Sequence, residues 1–281
     1  MRAVRYCEIA PAAPLRGVVD AFFCFAAGAP APSGARRVTR SASFASADEI
    51  CPALFADARA SIVFDFSGSW RVDGLWRPGA EPGFAIGAMT RGRASAFSPR
   101  VHAIGAYLRP GRIAAMTGVP ARELTDRIVP LAELWRDARE LGERLTDARD
   151  DALRVDLLEA TLLARAARVP TPHALLDLPA LAGLVERSGG ALPIGRLASG
   201  AGVSRQHLAR RFRDELGMSP KTASRLARFR RVLAAARPES WAQLARDAGY
   251  ADQSHLIAEF REFTGQTPRA LRSADSFHPF L

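Results

Sequence analysis

A set of polar and small side chains shares one face of the segment 204–216, and its members are Arg205, Gln206, Ala209, Arg210 and Arg213. Leu208, Phe212 and Leu216 recur at i, i+4 and i+8, so in a helix they point to the opposite face, toward a core. A guanidinium forks onto guanine edges or phosphates, an amide pairs with adenine, and a small residue permits close approach. The chemistry that this face can perform is therefore hydrogen bonding in the major groove of a nucleic-acid duplex.

The same pattern returns further along the chain. Residues 197–220 match residues 244–268 at offsets of 47 and then 48 positions, which makes this an internal repeat. Leu256, Phe260 and Phe263 take the core positions of the second copy. Its free face holds Gln253, Ser254, Ile257, Ala258 and Arg261. This set is less basic and more apolar than the first, so we expect it to read bases weakly or to contact thymine methyl groups.

Each copy has the elements needed to present such a face. A short helix runs into a glycine, Gly202 or Gly249, which can adopt the positive φ of a tight turn. Ser204 or Asp252 then caps a second helix by accepting hydrogen bonds from its first N–H groups. The sequence therefore predicts two helix-turn-helix units.

The segment 221–236 joins the two units and predicts a helix about 24 Å long that ends before Pro238. Such a strut would hold the two recognition helices, predicted over 204–216 and 252–263, roughly one DNA turn, about 34 Å, apart. We expect most of its arginines to be solvated or to touch phosphate, and they are Arg225, Arg228, Arg230 and Arg231.

The formal net charge of the 281 residues is +10, and it is unevenly distributed. Residues 181–281 carry 16 basic and 9 acidic side chains, whereas 131–180 carry 7 basic and 10 acidic ones. A basic balance favours polyanionic partners, either nucleic acid or an anionic membrane surface. No apolar run approaches the ~18 residues of a membrane span. Of these partners we expect nucleic acid and no membrane.

The N-terminal part is predicted to be β-rich. The stretch "SIVFDFSGSW" places Ile62, Phe64 and Phe66 on one face of a strand and Val63 and Asp65 on the other. "GFAIGAM" and "VHAIGAYLRPG" predict two more strands, in a small barrel or sandwich. The pattern then becomes helical, with a short helix, a Gly-Val-Pro break and a second short segment.

Residues 131–168 are acidic and amphipathic, with leucines near helical spacing, and predict one or two helices. Their apolar face fits either a dimer seam or packing against the N-terminal domain. The sequence thus predicts an α+β chain with a β-rich, sensor-like N-terminal domain over 1–130 and a helical linker with a dimerisation option over 131–172. An all-α domain over 173–275 would contain the two helix-turn-helix units joined by a long helix.

Cys7, Cys24 and Cys51 have no metal-binding spacing, so we expect no metal site and no cofactor. Burial as small apolar side chains is the favoured role, and a thiol sensor formed by Cys24 and Cys51 across adjacent strands is the alternative. The segment 21–35 has features of a signal peptide, but Asp20 and the 20-residue lead favour an interior strand leading into a Pro/Gly loop. We therefore expect a cytoplasmic location.

The C-terminal part resembles a known family. "GVSRQHLARRFRDELGMSP" and "LARDAGYADQSHLIAEFREFTGQTPRALR" look like the paired helix-turn-helix domain of AraC/XylS-type transcriptional regulators, over about 178–273. The signature of the second stretch is Gly-aromatic, a polar cap, Phe-x-x-Phe, Gly-x-Thr-Pro and a closing Arg. Residues 1 to about 135 resemble the N-terminal domain of one branch of these regulators, through segments like "PLRGVV" and "ASIVFDF".

This resemblance implies one-component bacterial regulation, with an N-terminal domain that senses a ligand or dimerises and a C-terminal domain that binds promoter DNA. The base-reading positions that it implies are Arg205, Gln206, Ala209 and Arg210, then Gln253, Ser254, Ile257 and Ala258. Many relatives have Arg where this chain has Ala258, which Glu259 follows, and this departure predicts weaker direct readout by the second helix.

Double-stranded promoter DNA is thus the expected partner. A small-molecule effector and RNA polymerase are further candidates, and the choice between a monomer and a homodimer stays open. No G-x-S-x-G, H-E-x-x-H, P-loop or Rossmann glycine fingerprint is present, so we do not expect an enzyme. Two alternatives remain, namely a non-specific architectural nucleic-acid binder, and a small-molecule-binding or enzymatic N-terminal domain fused to a DNA-binding module.

Overall fold

The computed structural model describes residues 4–27, 38–44, 53–76, 82–96, 100–168, 176–235 and 240–269. The alternating and apolar runs of the N-terminal half form strands. They are β1 (Val4–Ile9), β2 (Val19–Ala27), β3 (Val38–Phe44), β4 (Ala53–Leu54), β5 (Ser61–Asp65), β6 (Arg71–Val72), β7 (Gly83–Ile86), β8 (Arg93–Ala96), β9 (His102–Leu108) and β10 (Ile128–Pro130). The three strands predicted from sequence are confirmed as β5, β7 and β9.

The strands make two sheets. The larger is antiparallel, with the order β10-β7-β5-β9-β2-β1-β3, and the smaller has the order β4-β8-β6. Ile62 and Phe64 face one core and Val63 faces the other, as the alternation in β5 predicted. The larger sheet is therefore covered on both faces, by helices on one side and by the smaller sheet on the other.

The space between the two sheets, here called the sheet-side core, is filled largely by aromatic rings. Phe23 stacks on Tyr107 with 4.6 Å between ring centroids, and Trp70 stacks on Phe84 at 5.1 Å. The hydroxyl of Tyr6 donates to Glu8 over 2.6 Å at the margin of this core. Stacked and offset rings add to the stabilisation that burial gives, so this face is packed as a solid core.

Two cysteines lie in the opposite, helix-side core. Cys7 on β1 and Cys24 on β2 are directly opposite each other in the antiparallel register, and both are buried, free thiols. Their predicted burial is confirmed. Cys51, and with it the alternative of a Cys24–Cys51 contact, lies outside the described residues, as do residues 28–35 of the predicted Pro/Gly loop.

Helices cover the helix-side core. They are α1 (Ile113–Thr117), α2 (Ala121–Leu124), α3 (Ala138–Asp147) and α4 (Asp151–Arg168). Leu141, Leu145 and Leu158 bury their side chains against the larger sheet, so of the two alternatives for this apolar face the structure shows packing on the N-terminal domain. Sequence patterning missed β10, which extends the sheet by pairing with β7.

The C-terminal part is helical. Its helices are α5 (Leu178–Arg187), α6 (Ile194–Gly200), α7 (Arg205–Leu216), α8 (Pro220–Ala234), α9 (Trp241–Asp247) and α10 (Gln253–Thr264). We call α8 the strut. The α+β class is confirmed, with antiparallel strands first and helices last. No described helix is long and apolar enough to cross a membrane, and the described residues contain no His, Cys, Asp or Glu cluster able to hold a metal ion.

Candidate DNA-binding surface

The two helix-turn-helix units share the same backbone geometry at their turns. Gly202 and Gly249 have φ values of 67° and 82°, in the left-handed region that glycine adopts without strain. In the first turn Val203 N donates to Ala198 O over 3.1 Å, and in the second Tyr250 N donates to Ala245 O over 2.8 Å. This agreement confirms that the sequence repeat is a repeat of structure.

Capping fixes where each second helix begins. The Ser204 hydroxyl accepts from His207 N over 3.1 Å, and an Asp252 carboxylate oxygen accepts from His255 N over 2.7 Å. A capping side chain satisfies an N–H group that has no partner within the helix. The helices α7 and α10 consequently start one residue after the predicted bounds, and both end at a left-handed glycine, Gly217 or Gly265.

Burial orients the two helices as the spacing predicted. The buried side chains are Leu208, Phe212 and Leu216 on α7, with Leu256, Phe260 and Phe263 on α10. Of the ten candidate reading positions, Ala209 and Ile257 are half-buried and the other eight are exposed. Those eight are Arg205, Gln206, Arg210, Arg213, Gln253, Ser254, Ala258 and Arg261. Both faces are thus accessible to a duplex.

Free guanidinium groups distinguish the candidate face of α7 from its flank. Arg211 lies on the flank, where its Nε donates to Glu215 Oε1 over 2.7 Å. Arg205, Arg210 and Arg213 form no ion pair with any other described residue. A forked donor without an intramolecular partner remains available for a phosphate or a guanine edge.

The arginines of the strut correct the prediction that most are solvated. Arg225 donates from Nε to Glu259 Oε1 over 2.6 Å and from Nη2 to Glu262 Oε2 over 2.5 Å. Arg228 lies over the ring of Tyr250 at 5.1 Å, and Arg230 pairs with two carboxylates described below. Only Arg231 of the four is exposed. Three of these four arginines therefore make contacts within the protein.

Glu259 also differs from expectation. It follows Ala258 in sequence, but its side chain is buried and points toward Arg225 on the strut. The carboxylate is therefore paired with a guanidinium inside the fold, and it does not stand as an exposed negative charge on α10. The replacement of Arg by Ala258 still removes a forked donor from this helix.

A cleft of about 620 Å³ lies between the strut, α10 and the loop before α6. Lys221, Arg228 and His255 line it together with Glu259 and Glu262. The ring of His255 packs against Tyr250 with 5.2 Å between centroids, so this histidine contacts the turn before α10.

Comparisons with known proteins match both halves of the chain. A family model described as "Helix-turn-helix domain" matches residues 197–274, and one described as "Domain of unknown function (DUF6597)" matches residues 7–130. The C-terminal domain is an AraC-type helix-turn-helix domain. The AraC-type domain implies DNA binding and supports a role in transcription regulation, and the DUF6597 match spans most of the N-terminal strands.

Solved structures give weaker similarity. An apo variant of ToxT from Vibrio cholerae strain SCE256 is 12% identical, with 98% of each chain covered and a TM-score of 0.46. ToxT from Vibrio cholerae O395 is 10% identical over 80% of this chain and 92% of its own, with a TM-score of 0.44. The xylose-binding transcription activator XylR is 16% identical over 40% of this chain and 30% of its own, with a TM-score of 0.33. No curated protein matches the sequence.

Proposed function

We propose that this chain is a sequence-specific transcriptional regulator that reads adjacent major grooves of promoter DNA with α7 and α10. The observation that carries the proposal is the duplicated geometry: two units with the same turn, cap and buried face each present an exposed polar face. Helix-turn-helix pairs place second helices in successive major grooves when their separation is close to one helical turn. At 15 residues the strut is about 22 Å long and spaces the two units.

Within this scheme α7 is the main reader. Its free arginines can fork onto guanine O6 and N7, and Gln206 can pair with adenine. The face of α10 carries an amide, a hydroxyl and apolar carbon at Gln253, Ser254 and Ile257, which suits adenine edges and thymine methyl groups. Arg261 supplies this helix with a cation for phosphate.

Selection from random duplex DNA by the full-length chain tests the proposal. The expected result is an enriched motif with two conserved blocks about one helical turn apart, and a footprint on one side of the duplex. The salt dependence of binding to the enriched motif and to scrambled DNA gives the electrostatic part separately. Equal affinity for both sequences, with a steep salt slope, would instead identify a non-specific architectural binder.

A further inference from the structure

The end of the first candidate recognition helix is held by the N-terminal domain. Thr125, directly after α2, donates from its hydroxyl to Gly217 O over 2.7 Å. Arg122 on α2 donates from Nη1 to Asp214 Oδ1 on α7 over 2.8 Å. Gly217 directly follows α7 and caps its C-terminal end, where carbonyls have no partner within the helix. Thr125 therefore supplies a donor to the helix end.

The end of the second recognition helix is held in the same way, from two other segments. Ala56 N, just after β4, donates to Phe263 O over 3.0 Å, and Gly92 N, just before β8, donates to Glu262 O over 3.0 Å. Both acceptors belong to the last four residues of α10, whose carbonyls lack intrahelical partners. The N-terminal domain thus contributes donors to the C-terminal ends of both helices.

The strut is held as well, through a buried charge. Arg230 donates to Asp57 and, with its other terminal nitrogen, to Glu186 on α5. Asp57 also accepts from Arg59 Nε over 3.0 Å and from Arg59 N over 2.8 Å. Burial by itself raises the pKa of Asp57, but the charges of Arg230 and Arg59 outweigh burial and hold the pKa below its ordinary value. Asp57 is thus an ionised anchor between the two domains.

Apolar contacts accompany these bonds. Phe55 and Ala88 of the N-terminal domain are buried in the same core as Phe229 of the strut and Phe263 of α10. The rings of Phe55 and Phe229 meet edge to face with centroids 6.5 Å apart. A shared dry core allows less relative movement than a wet interface, because packed side chains do not slide freely.

We propose that the N-terminal domain sets the DNA-reading geometry by fixing the two recognition helices relative to each other, with Thr125, Gly92 and Asp57 as positioning residues. This inference rests on the proposed function. A duplex fixes the distance and angle between adjacent grooves, so two readers bind together only when their spacing agrees with the helical repeat. The strut connects one end of each unit, and the N-terminal domain supplies the further constraint by holding the helix ends.

Gly92→Ala in the full chain tests this without touching a reading residue. A Cβ at position 92 would lie 2.6 Å from Phe263 O and 2.8 Å from its carbonyl carbon, which are backbone atoms. The segment at Gly92 must therefore move away from the end of α10. Gly17→Ala is the matched control, because a Cβ at position 17 meets nothing within 4 Å. Thr125→Val, which removes a hydroxyl with little change in shape, is a second variant.

Three duplex probes distinguish a loss of positioning from a general loss of stability. They are the motif enriched by the wild type, the same motif with one or two base pairs inserted between its blocks, and the first block alone in scrambled DNA. We expect Gly92→Ala to lose about tenfold in affinity for the intact motif, the equivalent of about one hydrogen bond. It should discriminate less between the intact and the inserted motif, and bind the first block alone as the wild type does.

The outcomes are distinguishable. If the wild type enriches no motif, the proposed function fails. If it does, and both Gly92→Ala and Thr125→Val keep the wild-type preference for the native spacing, the positioning inference is overturned while the proposed function stands. An equal loss on all three probes would also overturn it, because the contacts would then serve stability alone. Should Gly92→Ala fail to fold by circular dichroism, Thr125→Val decides.

Discussion

Arg225 Nε lies 2.6 Å from Glu259 Oε1, and this ion pair joins the strut to the second recognition helix. Glu259 is buried, whereas Arg225 is partly accessible and also contacts Glu262. The pair therefore fixes the helix on the strut, while Gln253, Ser254 and Ala258 remain exposed on α10.

Breaking this pair should destabilise the fold. Arg225→Gln leaves the Glu259 carboxylate buried without its main cation, which should lower the free energy of unfolding by on the order of 3 kcal/mol. The double variant with Glu259→Gln removes the stranded charge and should recover part of the loss. Urea denaturation measures both. Arg231→Gln on the exposed side of the strut is the control, and a loss as large as that of Arg225→Gln would contradict the assignment.

Arg210 is the sharpest test of base reading. Its guanidinium is exposed and has no ion-pair partner among the described residues. Arg210→Ala should cost about 1–3 kcal/mol of binding free energy on the enriched motif and relax the preference at one base pair, since a forked contact to guanine is worth that much. Gel-shift titrations on the motif and its single-base variants provide the measurement.

The matched control for Arg210 is Arg211→Ala. Arg211 is the next residue, but it pairs with Glu215 on the flank of α7. This substitution should leave the base preference unchanged. If Arg210→Ala binds every sequence as tightly as the wild type does, Arg210 is not a reader.

Capping gives a prediction about stability rather than binding. Ser204→Ala removes the acceptor of His207 N and should lower the free energy of unfolding by about 1 kcal/mol. Asp252→Ala should have a similar effect at the start of α10. Ser199→Ala, an exposed residue of α6 without a capping contact, is the control. Equal midpoints in chemical denaturation for the cap variants and the control would refute this.

Acid should weaken the interface at Asp57. The pKa of Asp57 is lower in the folded state than its ordinary value, so its ionisation stabilises the fold above the unfolded pKa of about 3.9. That contribution is lost as the pH falls through the lower, folded pKa. Free energies of unfolding measured below about pH 4 should fall more steeply for the wild type than for Asp57→Asn. Parallel pH profiles would mean that Asp57 does not carry the charge.

Local signals predicted the DNA-binding units well. Gly202 and Gly249 permit the turn, Ser204 and Asp252 cap the next helix, and the leucine and phenylalanine spacing sets the buried face. Each of these signals acts within a few residues, where sequence and conformation are directly linked. For this reason the bounds of α7 and α10 and the orientation of both candidate faces were predictable, with errors of one residue at the start of α7 and at both ends of α10.

The contacts between the domains had no such signal. Arg230 and Asp57 lie 173 positions apart, and nothing near either residue marks it as half of a pair. The strand β10 was missed for a related reason, since its three residues qualify as a strand only because β7 presents an open edge. Likewise, the strut arginines were predicted to contact solvent or phosphate, because their carboxylate partners are distant in sequence and become neighbours only in the folded chain.

The two neighbouring thiols of the larger sheet provide a chemical probe of local opening in the N-terminal domain. Cys7 and Cys24 lie side by side on neighbouring strands and are buried in the helix-side core, so an alkylating reagent reaches them only when that core opens. With Cys51 replaced by Ser, the modification rate would report how often the core of the N-terminal domain opens locally. A change in that rate upon addition of DNA would show that DNA binding to the helices alters local opening of the strands.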